Sequence, residues 1–392
     1  MKIAIFTETY PPEINGVATS ARNLYRTLKA HGHQVVVVTT NPFDHELSYQ
    51  DDIIRIPGIV LKHLYGYVFA NPFNKECAKI IEDFKPDVIH VQTEAFVGQM
   101  GFILAKKLDI PTVYTFHTMI EDYTYYATKG YFDRASKSIV RNYVRHIINE
   151  ADEFITPSIK IREYMRSIHV DAYISVIPTG IDFSIFNRKS IDKDVVRSLK
   201  NKYGISDNDK IILSLGRVAK EKSIDVCIRG FSLYTKKHPE DQNTKMLIVG
   251  GGPAIDELKK LAEEEGIADK TIFTGPVNPD NVCFYYALGD VFVSASTSET
   301  QGLTFMEAMA SDNILLARYD DALSDLIVPK ENGFFFFDEE DMAKKLEESL
   351  SLSKEEKETL FVNAHKSIEP YSLERFYQSV YEVYERARKK NY

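Results

Sequence analysis

Short apolar runs alternate with amphipathic stretches along this chain. Ile3, Ala4, Ile5 and Phe6 form a run of buried-strand type, which predicts a strand over 2–6. A polar loop follows, and then Val17, Ala21, Leu24, Tyr25 and Leu28 share one face of a helix predicted over 17–30. The next strand is predicted over 34–38. A strand, a helix and a second strand in this order predict a parallel sheet. The pattern continues with strands over 87–91, 112–116, 153–156 and 174–177, and with helices over 96–108 and 131–148. Pro178, Thr179 and Gly180 break it, and residues 184–209 are polar with little strand character. The alternation then restarts, with strands over 211–215, 246–249, 271–274, 290–294, 314–317 and 334–337. The last helix, over 373–389, carries Phe376, Val380, Val383 and Tyr384 on one face. The fold class is therefore α/β, with two doubly wound halves divided between residues 188 and 189. Ligands of such sheets sit at the C-terminal ends of the strands, and two sheets are expected to face one another across a cleft.

Composition narrows the function. A chain of 392 residues exceeds the size of one core and fits two domains. The net charge of −9 disfavours nucleic acid as a partner. Cys77, Cys227 and Cys283 lie far apart and lack metal-ligand spacing, which points to a reducing, cytoplasmic compartment. The opening residues carry no signal-peptide pattern, and no apolar run approaches the roughly 18 residues of a membrane span.

Candidate chemistry gathers at predicted strand ends. Residues 290–310 read as strand, polar loop and helix, with Gly302 at the join. Backbone amides and the helix dipole there make an anion site. Glu299 and Glu307 frame it, and carboxylates accept hydrogen bonds from sugar hydroxyls. Together these groups suit a nucleotide sugar; the bland alternative is a pair of surface glutamates. Arg217, Lys220 and Lys222 follow the strand 211–215 and look like a diphosphate clamp, with Glu221 able to pair with one cation. The alternative is a solvated charged turn. Gly250, Gly251 and Gly252 allow a close approach to a ligand or to another loop. The segment from Thr274 to Val277 offers contacts to a base. Gly16 opens the first helix, either to approach a phosphate or merely to relax the loop. His117 stands at a strand end, with Glu121 and Asp122 close enough in sequence to orient it. Arg134, Lys137, Arg141 and Arg145 form a basic stripe opposite Phe132, Ile139, Val140, Tyr143 and Ile147. That stripe is either a solvated face or a surface for anionic lipid. The apolar, aromatic stretch from Gly58 to Phe69 is either an interfacial or a buried loop.

Taken together, Gly16, His117, the clamp at 216–222, the glycines at 250–252 and the pair Glu299 and Glu307 resemble the retaining GT-B glycosyltransferases of family 4. The resemblance spans essentially the whole chain. More narrowly, residues 115–124, 219–223, 297–304 and 318–321 resemble the bacterial diacylglycerol glucosyltransferases. This implies a GT-B fold with two Rossmann-like domains: 1–188 for the acceptor and the membrane, and 189–371 for the donor, with helix 372–392 crossing back onto the first. It implies UDP-glucose as donor, diacylglycerol as acceptor and an anionic membrane surface as partner, on the inner face of the cell membrane. Arg217 and Lys222 would hold the diphosphate, helped by amides near Gly16 and Gly302. Val277, Thr300, Gln301 and Leu303 would complete the donor site. Glu299 would bind sugar hydroxyls, Glu307 the ribose, and His117 would lie beside the transferring centre. Asn15 stands where many relatives carry a first of two glycines, and no Asp-x-Asp metal clamp is evident, so no metal or other cofactor is expected.

Three other functions stay in view. One is a family 4 enzyme with a glycosylated lipid, polysaccharide or phosphosugar acceptor. Another is a non-catalytic nucleotide-sugar or membrane-surface binder. A dehydrogenase is disfavoured, because neither half carries the dinucleotide glycine pattern.

Overall fold

The computed structural model describes residues 1–13, 15–41, 46–61, 67–117, 133–296, 299 and 301–390; for 61, 67 and 133–140 it describes the backbone only. Contacts divide the chain into two compact units: Met1–Gly180 joined by the segment from Leu373, and Ile181–Ser372.

The first unit is built on β1 (Lys2–Phe6), β2 (Gln34–Asn41), β3 (Ser48–Gln50), β4 (Ile53–Leu61), β5 (Tyr67–Ala70), β6 (Val88–Val91), β7 (Thr112–Thr115), β8 (Glu153–Thr156) and β9 (Ile174–Val176). Their order is β3-β4-β2-β1-β6-β7-β8-β9, with β5 paired to β4. All pairs are parallel except β3 with β4 and β4 with β5. Both faces are covered, as a parallel sheet requires. Ala4 and Phe6 point into one core, and Ile3 and Ile5 into the other.

The C-terminal helix Leu373–Lys390 closes that second face. Phe376, Val380, Val383, Tyr384 and Ala387 pack on Ile3, Ile5, Val113 and Ile155, so the stripe read from the sequence is the buried one. Gly180 lets Phe376 approach: a Cβ there would lie 2.5 Å from the Phe376 Cβ. Arg386 and Lys390 then pair with buried Glu153 at 3.1 and 2.9 Å.

The second unit contains β10 (Lys210–Leu215), β11 (Thr244–Val249), β12 (Thr271–Phe273), β13 (Val291–Ser294), β14 (Ile314–Arg318) and β15 (Phe334–Phe336). The order is β12-β11-β10-β13-β14-β15, parallel throughout. Counted within the unit this is 3-2-1-4-5-6, the doubly wound order with its reversal between β10 and β13. The first unit reverses in the same way between β1 and β6.

Two segments depart from the sequence expectation. Residues 184–209 contain the helix Lys193–Tyr203, capped by Asp192 and ended by Gly204 in a left-handed conformation. Val196, Leu199 and Tyr203 pack half-buried against the core of this unit, a stripe of few apolar residues among charged ones that the sequence shows only weakly. The stretch from Gly58 is no buried loop in its described part. Gly58 to Leu61 pair antiparallel with Tyr67 to Ala70, and Ile59 and Phe69 are 69% and 41% exposed. Pro57 inside β4 hides the strand, because proline demotes an apolar run.

Phe376→Ala is expected to lower unfolding free energy by about 3 kcal/mol. Urea unfolding checks the loss, and hydrogen exchange should speed first within Leu373–Lys390.

Candidate active site

In the second unit, the functional side chains stand on the loops that leave β10 and β13, the two strands flanking the reversal. After β10, Gly216 leads into Arg217, and Lys220–Lys222 form a single helical turn. Arg217 Nη1 lies 3.8 Å from Glu221 Oε1, the pairing expected for one of the cations. Lys222 Nζ reaches across to the β13 loop, donating to Glu299 Oε1 at 2.7 Å and lying 3.4 Å from Ser296 Oγ. Glu299 is largely enclosed, with its side chain 11% exposed against 31% for Lys222. The structure thus brings into contact the cation expected to bind phosphate and the carboxylate expected to bind hydroxyls.

The glycine run after β11 has a definite neighbour. A Cβ on Gly250 would lie 1.8 Å from the Gly216 oxygen, and one on Gly252 would lie 2.1 Å from the Val218 oxygen. The Val218 N–H donates to Gly251 O at 2.9 Å. Of the two alternatives, the contact is therefore with a loop, and the glycines shape the clamp that carries Arg217 and Lys222. The Gly250 N–H donates to Gly275 O at 3.2 Å, which ties in the loop of Val277. Val277 itself is half-buried against the core.

Gly302 has φ +75°, which lets the chain turn sharply into the helix Leu303–Ala310. Gln301 is buried, and Leu303 packs against the core. Thr300 lies outside the described residues. Glu307 is held by Tyr286, whose hydroxyl donates to Oε2 at 2.8 Å and lies 3.2 Å from Thr304 O. Burial raises the Glu307 carboxyl from 4.5 to about 7, with the Tyr286 hydrogen bond opposing the rise. The sequence reading missed Tyr286. It lies on the five-residue helix Val282–Tyr286, and nothing in the sequence pairs it with Glu307.

The remaining candidates belong to the first unit. Gly16 begins the helix Gly16–Ala30, and Asn15 caps it by accepting from the Ala18 N–H at 2.8 Å. The Asn15 side chain thus occupies an amide of the first turn, which is the physical content of the departure at this position. His117 follows β7 and is half-buried. Its Nε2 lies 2.5 Å from Gln92 Oε1. Burial holds its pKa down at about 4, so the ring is neutral. Glu121 and Asp122, expected to orient it, lie outside the described residues; Gln92, at the C-terminal end of β6, is the partner observed. Glu8, also unforeseen, follows β1 and accepts from the Val97 and Gly98 N–H groups at 2.6 and 3.1 Å. Of the basic stripe on the helix Asp133–Glu150, the side chains of Arg134 and Lys137 are not described. Arg141 is exposed and Arg145 half-exposed. Tyr143, expected on the apolar face, is 40% exposed, while Val144, Ile147 and Ile148 are the buried residues. Its hydroxyl donates to Glu94 O at 2.7 Å.

Two doubly wound units in one chain, with a cation–carboxylate pair at the reversal of the second, have the architecture of the two-domain GT-B class. Residues 14–184 match Glycosyltransferase Family 4, and residues 195–366 match Glycosyl transferases group 1. The chain belongs to the family 4 glycosyltransferases. Within the family it is similar to the alpha-monoglucosyldiacylglycerol synthase of Streptococcus pneumoniae, with 36% identity over 98% of this chain and 85% of that protein. The protein of that description from Acholeplasma laidlawii is 35% identical over 98% of this chain and 96% of its own length. Among solved structures, Anabaena HepE in complex with UDP and glucose superposes with a TM-score of 0.75. That likeness covers 98% of this chain and 99% of HepE at 15% identity.

The raised Glu307 carboxyl has a signed consequence for stability. Between its ordinary value of 4.5 and about 7 the folded state binds the extra proton, so this group's contribution to stability falls as pH rises through that window. Glu307→Gln removes the titration. Relative to the parent, it is expected to be stabilised at pH 8 by on the order of 1–3 kcal/mol and to gain little near pH 4.5. Urea midpoints at the two pH values check this.

Proposed function

We propose that this glycosyltransferase moves glucose from UDP-glucose to the 3-hydroxyl of 1,2-diacylglycerol, giving an α-linked monoglucosyl lipid. The observation that carries the reading is similarity along 98% of the chain to two alpha-monoglucosyldiacylglycerol synthases. The contact between Lys222 and Glu299 supports the donor assignment. It sets a phosphate-binding charge beside a hydroxyl acceptor, as a sugar joined to a diphosphate requires.

In this mechanism Arg217 and Lys222 neutralise the departing diphosphate, and amides at the start of Leu303–Ala310 add to the stabilisation. Those charges can offset the charge of the leaving diphosphate without a divalent ion, so the reaction is metal-independent in this proposal. Glu299 exchanges its bond to Lys222 for sugar hydroxyls when donor enters, and Glu307 receives the ribose hydroxyls. His117 is assigned a part in sugar binding in this proposal. The acceptor hydroxyl attacks from the face that the diphosphate leaves. The leaving phosphate oxygen takes its proton, so no protein base is required and the configuration is retained.

The acceptor is a membrane lipid, so the reaction takes place at a bilayer surface. None of the described helices is long and apolar enough to cross a membrane. Arg134, Lys137, Arg141 and Arg145 provide cations for anionic headgroups in this proposal. Ile59 and Phe69 on the hairpin, with Phe73 beyond it, are exposed apolar side chains that suit the interface.

Product analysis tests the proposal. With UDP-glucose and micelles of diacylglycerol plus anionic lipid, an α-linked monoglucosyl lipid is expected. Arg217→Ala should lower turnover by on the order of 100-fold or more. UDP release without a lipid product would move the acceptor to a soluble sugar. Full turnover by Arg217→Ala would overturn the clamp.

A further inference from the structure

Tyr286 is wholly buried and held at three points. Its ring packs against Phe186 and Phe292, with ring centroids 5.6 and 5.9 Å away. Its backbone oxygen accepts from the Asn313 side-chain amide at 3.1 Å. Its hydroxyl reaches the helix Leu303–Ala310, 2.8 Å from Glu307 Oε2 and 3.2 Å from Thr304 O. Burial, with the charges of Glu307 and Glu299 nearby, pushes the Tyr286 pKa well above its ordinary 10.0, so the hydroxyl keeps its proton. Tyr286 is thus within electrostatic reach of both candidate carboxylates of this unit.

The hydroxyl has one proton and two acceptors in reach. When Glu307 is ionised, the proton goes to Oε2, the closer and charged acceptor. When Glu307 is protonated, the roles turn over. The carboxyl proton on Oε2 is donated to the Tyr286 oxygen, and the Tyr286 proton turns to Thr304 O. Burial raises the Glu307 carboxyl to about 7, so both forms occur near neutral pH. Oε2 is engaged in each form, and Oε1 carries no proton in either. Among the described residues no partner is seen for Oε1, and Glu307 is half-buried where Tyr286 is wholly so. An oxygen that only accepts suits a hydroxyl, which brings its own proton.

We propose that Tyr286 is a positioning residue that turns Glu307 so that Oε1 meets a ribose hydroxyl as an acceptor, and that it thereby sets the preference of the donor site for a ribonucleotide over a deoxyribonucleotide. The proposal rests on the reading of Glu307 as the group that receives the ribose hydroxyls. Tyr286 needs no contact with the donor for this part. A phenylalanine at position 286 would keep the ring and its packing yet free Oε2, so the carboxyl would rotate and its proton would occupy either oxygen. A glutamine at position 307 would still be turned by Tyr286. Its amide nitrogen would donate to the Tyr286 oxygen, Tyr286 would donate to Thr304 O, and the amide oxygen would take the place of Oε1.

Calorimetric binding of UDP, 2′-deoxy-UDP and 3′-deoxy-UDP to the full chain tests this. The parent is expected to bind at least one of the two deoxynucleotides about tenfold or more weakly than UDP, since a site built for a hydroxyl rejects the analogue that lacks it. Glu307→Ala should bring the three ligands within about twofold of one another. Tyr286→Phe should weaken UDP by about three- to tenfold and the rejected deoxynucleotide hardly at all, so the preference collapses. A merely space-filling tyrosine would change all three affinities alike or none. Glu307→Gln should keep a preference of about threefold or more, and adding Tyr286→Phe to it should remove that preference. If Tyr286→Phe does not fold, Glu307→Gln carries the test, because only an oriented amide retains the preference. The parent preference retained in Tyr286→Phe, or a Glu307→Gln protein no more selective than Glu307→Ala, overturns the proposal. Failure of the ribose reading is seen separately, as a parent without preference or a Glu307→Ala protein that keeps it. If the parent binds no UDP, GDP and its deoxy forms replace the series, because the ribose contact does not depend on the base.

Discussion

When strand order reverses in a parallel sheet, the connections on either side of the reversal leave in opposite directions, and the strand ends between them stay uncovered. This constraint acts twice in the chain, between β1 and β6 and between β10 and β13. In the second unit it leaves the loop of Arg217 to Lys222 beside Ser296 and Glu299, and Lys222 bonds Glu299. Once the strand order is set, no long-range coincidence is needed to bring these residues together. The supporting parts follow from it. The glycines at 250–252 press on the backbone of residues 216–218, and Gly302 turns the chain into its helix without a side chain that would meet Leu323.

Opposite charges held in contact also explain how a half-buried lysine and a nearly enclosed carboxylate are tolerated together. Each offsets part of the desolvation of the other. A ligand bearing both phosphate charge and hydroxyl groups supplies replacement partners for both. Glu307 is in a harder position: the neutral hydroxyl of Tyr286 bonds it, no cation is seen to pair with it among the described residues, and burial raises its pKa to about 7. Such strain is common where a site is built to receive a ligand.

Much of this was legible in the sequence, because a parallel sheet covered on both faces is written as continuous apolar runs. Residues 2–6, 153–156 and the helix 96–108 were bounded as observed, and the stripe of Phe376, Val380, Val383 and Tyr384 marked the buried face of the last helix. Signals failed where burial was one-sided or missing. Helix Lys193–Tyr203 only half-buries Val196, Leu199 and Tyr203, and β4 carries a proline. Within the candidate site, Arg217, Lys222 and Glu299 were legible as a group because they follow the two strands that flank the reversal. Tyr286 and Gln92 were not, since each is bonded to a candidate residue distant in sequence. Gln92 carried one faint sign, its place directly after a strand beside the reversal.

The account depends on one division of labour, with Lys222 serving the diphosphate and Glu299 the sugar. Calorimetric binding of UDP and of UDP-glucose to the parent, Lys222→Ala and Glu299→Ala tests it most directly. The account predicts that Lys222→Ala weakens both ligands by about tenfold or more. It predicts that Glu299→Ala leaves UDP bound at least as tightly and weakens UDP-glucose selectively. Unchanged UDP affinity in Lys222→Ala, or equal loss of both ligands in Glu299→Ala, would contradict it.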